Sequence, residues 1–287
     1  MIPAAFAYHR PSSLNEAINL LAKHGDEARV VAGGHSLIPM MKLRLAAPQH
    51  LVDLQDLAEL RRIDSDGTML VIGAMTTQQE ILASGLLAGK CPILGEAAAQ
   101  IADPQVRNCG TIGGNVANGD PGNDMPAVML ALDAIYRVTG PGGSRDIPAR
   151  QFYQGTFVTA LKEGEILQSI RIPTPVPGHG AAYEKQKRKI GDYATAAAAV
   201  VLTLQGGTCT AAAIALTNLG DTPLNAVAAA QALVGSKLDS VAVAAAVKQA
   251  RAIARPASDG RGPADYRTHV AGIMVARAIA KAKARAA

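Results

Sequence analysis

"VVAGGHSLIPMMKLRL" runs from Val30 to Leu45, and "CGTIGGNVANGDPGNDMP" runs from Cys109 to Pro126. Each joins an apolar run to an adjacent glycine pair and then to small polar side chains. Glycine weakens helix and strand alike, so a repeated pair marks backbone with a task other than continuing an element. Between a strand and a helix, such a pair lets successive N–H groups converge on an anion where a Cβ would stand in the way. The helix N-terminus adds a partial positive charge. In the first stretch the His35 amide and Ser36 hydroxyl complete the nest, and in the second Thr111 and Asn115 supply similar groups. One pair alone is explained by a tight turn. Two pairs, each beside small hydrogen-bonding residues, read as an extended diphosphate held from both sides.

The common nucleotide fingerprints do not account for it. The chain has no G-x-G-x-x-G, and "GLLAGKC" (85–91) is one residue short of a P-loop, with Cys91 where Ser or Thr belongs.

Outward from these stretches the spacing predicts a helix in "SSLNEAINLLAKHG", with a Ser13–Glu16 capping box and Gly25 as its stop. "ARVVAGG" and "HLVDL" (50–54) read as strands around a helix in "HSLIPMMKLRLA", giving a β-α-β unit. The pattern then restarts. "MLVIGA" (69–74) is a strand, Thr77–Glu80 caps a helix, and "CPILGEAAAQIA" (91–102) is a helix stopped by Asp103-Pro104. "DMPAVMLALDA" is a helix with Asp124 at its start, and "IYRVTG" (135–140) and "ILQSIRIP" (166–173) are strands. "PTPVPGHG" (173–180) reads as a linker. Beyond it come a hairpin turning at Gly206-Gly207 and helices over 224–235, 239–253 and 264–287.

The expected fold class is therefore α+β. A two-part domain spans 1–177 (subdomains about 1–55 and 56–177), and a smaller α+β domain over 178–287 carries an antiparallel sheet and three helices.

The chain has 287 residues, 49% apolar but only 3% aromatic and without Trp, a makeup suited to close helix–sheet contact. A formal charge of +5, with no basic run interleaved with aromatics, argues against a nucleic-acid partner. Three scattered cysteines neither frame disulfides nor ligate an iron–sulfur cluster. His24, His35, His50, His179 and His269 show no metal-ligand spacing, so no metal site is expected. No Ser/His/Asp order or other acid–base set stands out, so no catalytic residue is expected either. Lacking a signal segment and an apolar run of membrane-spanning length, the chain is expected in the cytoplasm.

"VVAGGHSL", "GTIGGN" and "KRKIGDYATAAAAV" together resemble the FAD-binding subunits of the molybdenum hydroxylases (the xanthine dehydrogenase-like family). The likeness covers essentially the whole chain. "AGGHSLIPMMK" and "NGDPGNDMP" lean toward the medium flavoprotein subunit of the aerobic carbon monoxide dehydrogenase branch. The resemblance implies a two-part FAD domain of the PCMH type. FAD loops would fall on Ala32, Gly33, Gly34, His35 and Ser36, and on Thr111, Ile112, Gly113, Gly114 and Asn115. Asp124 would meet ribityl or ribose hydroxyls, Lys185 would serve the site, and Tyr193 would lie against the isoalloxazine ring. A family "SP" pair is Asp120-Pro121 here, and a family aromatic is Ile101. "EKQKRK" (184–189) is expected to be a solvated face, available to a partner.

The resemblance also implies partners: a small subunit with [2Fe-2S] clusters, a large subunit with the molybdenum cofactor, and a dimer of heterotrimers. Electrons would leave to an external acceptor such as a quinone, with peripheral attachment of the complex to the inner face of the membrane. Flavin subunits of the aldehyde or purine branches, a self-sufficient flavin oxidase and a non-catalytic assembly module remain alternatives. An oxidase would need a substrate domain, of which the Ala-rich C-terminal region gives no sign.

Overall fold

Alternating burial along the strands, and helices with one apolar face, assemble this chain around three sheets. The computed structural model describes residues 1–286.

The first sheet is parallel, with β1 (Ala7–His9), β2 (Ala28–Val31) and β3 (His50–Asp53) in the order β1-β3-β2. Helices α1 (Leu14–His24) and α2 (Leu37–Lys42) connect them. The β-α-β unit thus gains a strand, β1, too short to show any period. Ser13 caps α1 by accepting the Glu16 N–H at 3.2 Å, and Gly25 ends the helix at φ 50°. The expected capping box is displaced by one residue. The Glu16 carboxylate accepts the N–H and hydroxyl of Ser12, at 2.7 and 2.8 Å, rather than the Ser13 N–H.

The second sheet is antiparallel, in the order β4-β5-β10-β6-β7. β4 (Ile63–Ser65) and β5 (Met69–Gly73) precede six helices: α3 (Gln78–Ala83), α4 (Gly85–Lys90), α5 (Pro92–Gln100), α6 (Pro104–Cys109), α7 (Ile112–Ala117) and α8 (Asp124–Ala131). β6 (Ile135–Gly140), β7 (Gly143–Pro148), the small hairpin β8 (Tyr153–Gly155) and β9 (Val158–Thr159), and β10 (Ile166–Pro173) complete the unit. Thr77 closes the capping box expected for α3, accepting from the Glu80 N–H at 3.1 Å while Glu80 accepts from the Thr77 N–H at 2.6 Å. Asp103-Pro104 does more than stop a helix. Asp103 caps the next one, α6, with Pro104 in its first turn.

Residues 174–178 lead to the third sheet, β11 (His179–Gln186), β12 (Ala196–Gln205), β13 (Thr208–Thr217) and β14 (Leu224–Asn225), all antiparallel and in that order. Gly206 and Gly207 form the expected hairpin turn, both at positive φ. Helices α9 (Val227–Gln231), α10 (Ser240–Ile253) and α11 (Ala264–Arg285) cover one face. The expected helix over 224–235 is shorter because residues 224–225 pair as β14, and residue 287 lies outside the described residues.

This third sheet is buried on both sides. Ala197 and Ala199 belong to the core shared with α5 and α8, whereas Ala196, Ala198, Val200 and Leu202 belong to the core under α11. A strand covered on both faces reads as an uninterrupted apolar run. Its small side chains let α11 come close, and a Cβ on Gly180 would lie 2.0 Å from the Ala282 carbonyl oxygen.

Candidate functional site

The first glycine pair sits where β2 gives way to α2. Gly34 has φ +73°, a conformation that costs a side-chain-bearing residue about 1–2 kcal/mol. Gly33 answers a different need. A Cβ there would lie 2.2 Å from the Cys109 carbonyl oxygen, so the two glycine-bearing stretches touch backbone to backbone. Among the described residues none accepts a hydrogen bond from the N–H of Gly33, Gly34, His35 or Ser36. All four residues line a cleft, and four consecutive unpaired donors are the makings of an anion nest.

The second pair behaves otherwise. Gly113 and Gly114 lie inside the first turn of α7, preceded by helix α6 rather than by a strand. Their amides are already engaged. Ile112 donates to Thr76 O at 2.8 Å, Gly113 to Ala74 O at 2.9 Å, Gly114 to Thr111 Oγ1 at 3.0 Å and Asn115 to Thr111 O at 3.0 Å. Ile112 and Gly113, expected in a phosphate loop, are buried and do not line the cleft. Gly113 is required because a Cβ would meet the Ala74 carbonyl oxygen at 2.5 Å. From this stretch, Thr111, Gly114 and Asn115 do line the cleft.

Asp124 opens α8 and is held from β11. Its Oδ1 accepts from the Tyr183 hydroxyl at 2.5 Å and its Oδ2 from Lys185 Nζ at 2.7 Å, with the Lys185 side chain only 1% exposed. Burial and the Asp124 charge hold the Tyr183 phenol well above its ordinary pKa. Asp124 is therefore anchored by a buried ion pair before any ligand arrives. Tyr183 carried no signal, since a tyrosine in a strand looks like core. "EKQKRK" is not a uniformly solvated face. Strand alternation turns Lys185 inward, while Glu184 meets Lys281 at 3.3 Å. Lys187, next to Lys185, has its ammonium pKa lowered by burial and by that neighbouring charge.

Tyr193 precedes β12 and lines the same cleft. Its hydroxyl donates to Asp120 Oδ2 at 2.8 Å, the Arg261 guanidinium lies 5.3 Å from its ring centre, and a Cβ on Gly122 would stand 2.8 Å from its Cδ1. Burial, ahead of the Asp120 charge, raises its phenol pKa. With Arg261 across one side, the ring is less free to stack than the sequence suggests. Asp120 also accepts the Gly122 N–H at 2.8 Å, so Asp120-Pro121 fixes the turn that carries this tyrosine.

Ala32, Gly33, Gly34, His35, Ser36, Thr111, Gly114, Asn115, Asp124, Lys185 and Tyr193 thus converge on one cleft of about 1170 Å³. That volume lies at the top of the range for ligand pockets and suits a molecule as long as a dinucleotide. Ile101, the segment Leu161–Glu165 and Gln78 line it as well. Both amide atoms of Gln78 are enclosed without a hydrogen-bond partner, a cost that a polar ligand or water would relieve. The donor nest, the elongated cleft and the placed hydroxyl and carboxylate groups fit FAD.

The fold also groups histidines that sequence spacing does not. His9, His24 and His50 are brought together by three different elements, so the absence of a spacing motif did not mean the absence of a cluster.

Two family models match: residues 4–175 fit the FAD binding domain in molybdopterin dehydrogenase, and residues 181–282 fit the CO dehydrogenase flavoprotein C-terminal domain. The chain is 60% identical to the carbon monoxide dehydrogenase medium chain of Afipia carboxidovorans, covering 100% of this chain and 99% of that one. It is 49% identical to the medium chain of Hydrogenophaga pseudoflava, covering 100% of both. Its structure is similar, with a TM-score of 0.98 and 60% identity over 99% of this chain and 100% of the other, to a chain of Cu,Mo-CO dehydrogenase in its cyanide-inactivated form. The chain belongs to the FAD-binding flavoprotein family of the molybdopterin dehydrogenases.

Proposed function

We propose that this chain is the flavin-carrying electron-transfer subunit of an aerobic carbon monoxide dehydrogenase, oxidising CO with water to CO2 in concert with two partners. The observation that carries the reading is the row of four unpaired amides, Gly33 to Ser36, at one end of a dinucleotide-sized cleft. These amides hold the diphosphate. The Thr111 hydroxyl and Asn115 amide bind from the opposite wall, and Asp124, fixed by Lys185 and Tyr183, presents a carboxylate to sugar or ribityl hydroxyls. Ile112 and Gly113 serve from beneath, setting α7 against Ala74 and Thr76. Tyr193, with Arg261 against its ring, would lie beside the flavin. Bound FAD supplies redox chemistry in one- or two-electron steps, which protein side chains lack.

Electrons enter from [2Fe-2S] clusters on a small subunit, having left CO at a molybdenum site on a large one. They leave to an external acceptor such as a quinone. The complex is a dimer of heterotrimers, located in the cytoplasm and resting on the inner face of the membrane. No helix among the described residues is long and apolar enough to cross a membrane, which fits peripheral attachment.

The test is to purify the chain alone and with its partner subunits. The expected result is stoichiometric FAD in both samples and CO-driven dye reduction only in the complex. CO-driven reduction by the partner-free chain, or a complex that works without flavin in this chain, overturns the reading.

A further inference from the structure

We propose that His9, His24 and His50 form a binding site for a borderline divalent cation of the Zn²⁺ class, clipping together three elements of the N-terminal subdomain, β1, α1 and β3. His9 ends β1, His50 begins β3 and His24 is the last residue of α1. In the parallel register His9 stands opposite Val52, two residues along from His50, so both side chains leave the same face of the sheet. Val52 packs into the core formed with α1, which brings His24 over that face.

His9 Nε2 and His50 Nδ1 are 3.0 Å apart and share one proton. The His24 ring lies 3.7 Å from that of His50, and one nitrogen from each residue falls within a 4.8 Å group. Two imidazole nitrogens on a tetrahedral Zn²⁺ stand roughly 3.3 Å apart, given Zn–N bonds of about 2.0–2.1 Å. Replacing the shared proton by a metal therefore asks little of His9 and His50. His24 must turn out of its stack. It sits at a helix end, before Gly25 at φ 50°, and its Nε2 is enclosed with no hydrogen-bond partner. All three residues are half-buried, which leaves solvent access for a fourth ligand. A three-histidine set with an open position selects Zn²⁺, Cu²⁺ or Ni²⁺ over Mg²⁺ or Ca²⁺. None of the three histidines lines the flavin cleft, so the site is separable from FAD binding.

The full chain, stripped with a chelator and retaining FAD, is titrated with Zn²⁺ by calorimetry at pH 7.5. The expected result is one saturable equivalent, a raised thermal midpoint, and affinity at least tenfold weaker in His9→Gln and in His50→Gln. Flavin content reports whether each variant is folded. A measurement on the unaltered protein keeps the test independent of the variants: of the six histidines, His9, His24 and His50 alone change their side-chain ¹⁵N shifts on adding one equivalent of Zn²⁺. No saturable binding, or shifts confined to other histidines, overturns the proposal, and so does binding unaffected by both substitutions. Flavin retention without zinc binding refutes the metal site and leaves the flavoprotein reading standing.

Discussion

Asp124 and Lys185 form an ion pair at 2.7 Å that is almost wholly buried. Removing one partner of a buried ion pair costs about 3–5 kcal/mol, because the other is left uncompensated. Lys185→Met should lower the unfolding free energy by about that much, and adding Asp124→Asn should recover most of the loss, as denaturant titration in excess FAD would show. Gly33 makes a second case at this scale. In Gly33→Ala the new methyl group must displace the Cys109 carbonyl, and overpacking of this kind costs about 1–3 kcal/mol. The two cleft walls move apart, and the purified variant should hold substoichiometric FAD. Gly85→Ala, where nothing lies within 4 Å of the added carbon, should keep its flavin and serve as the control. The sequence marks all these glycines alike. Only the tertiary contact tells a backbone crossing from a vacant surface.

Helix α3 shows how local chemistry feeds a distant wall. Thr77 caps it and also bridges to Thr111, the residue that opens α7. Thr77→Ala should cost about 1 kcal/mol for the lost cap, seen as a lower thermal midpoint. The bridge to Thr111 is made by backbone and survives the substitution, so the purified variant should keep its flavin.

Elements with several turns or a sharp end signal were legible from residues: α1 from its apolar spacing, α3 from its capping box, and the β12–β13 hairpin from Gly206-Gly207. Several of the shortest were not, although β2, β3, β5 and β6 were. β1, α4, α6 and α7 are too short for periodicity to rise above chance, and β14 looked like the start of a helix because alanines follow it. In the site, the strand-to-helix turn of the first glycine stretch was legible, because β2 and α2 flank it in sequence. In the second, the partners of the Ile112 and Gly113 amides, Thr76 and Ala74, lie far back in the chain and left no local signal. His9, His24 and His50 escaped for the same reason, since sheet register rather than spacing unites them.

At the scale of the molecule, the cleft has walls from all three sheet units, and Glu96 on α5 shows how they are tied. It accepts the Tyr183 N–H at 3.0 Å and pairs with Lys281, also at 3.0 Å, and with Arg285 of α11. Many other carboxylates are similarly committed. The Arg137 guanidinium beside Asp146 and the Arg145 guanidinium beside Glu165 hold those groups below their ordinary values of 3.8 and 4.5. A carboxylate with a depressed pKa in the folded state takes up protons first on unfolding. Its stabilisation is complete above the ordinary value and is lost as pH falls through the folded one. The thermal midpoint should therefore hold steady from pH 7 to about 5 and decline below roughly 4.5, as scanning calorimetry across that range would record.

The contact between Gly33 and Cys109 has a practical corollary. Of the three thiols, Cys91 is buried and pushed up to about 12, Cys209 is also buried and raised, and Cys109 alone is exposed. A maleimide fluorophore would attach at one address, on the residue whose carbonyl props the first amide row in place. Since the flavin is itself a chromophore, energy transfer from that dye turns the folded chain into its own gauge of cofactor occupancy, readable in a cuvette while partners assemble around it.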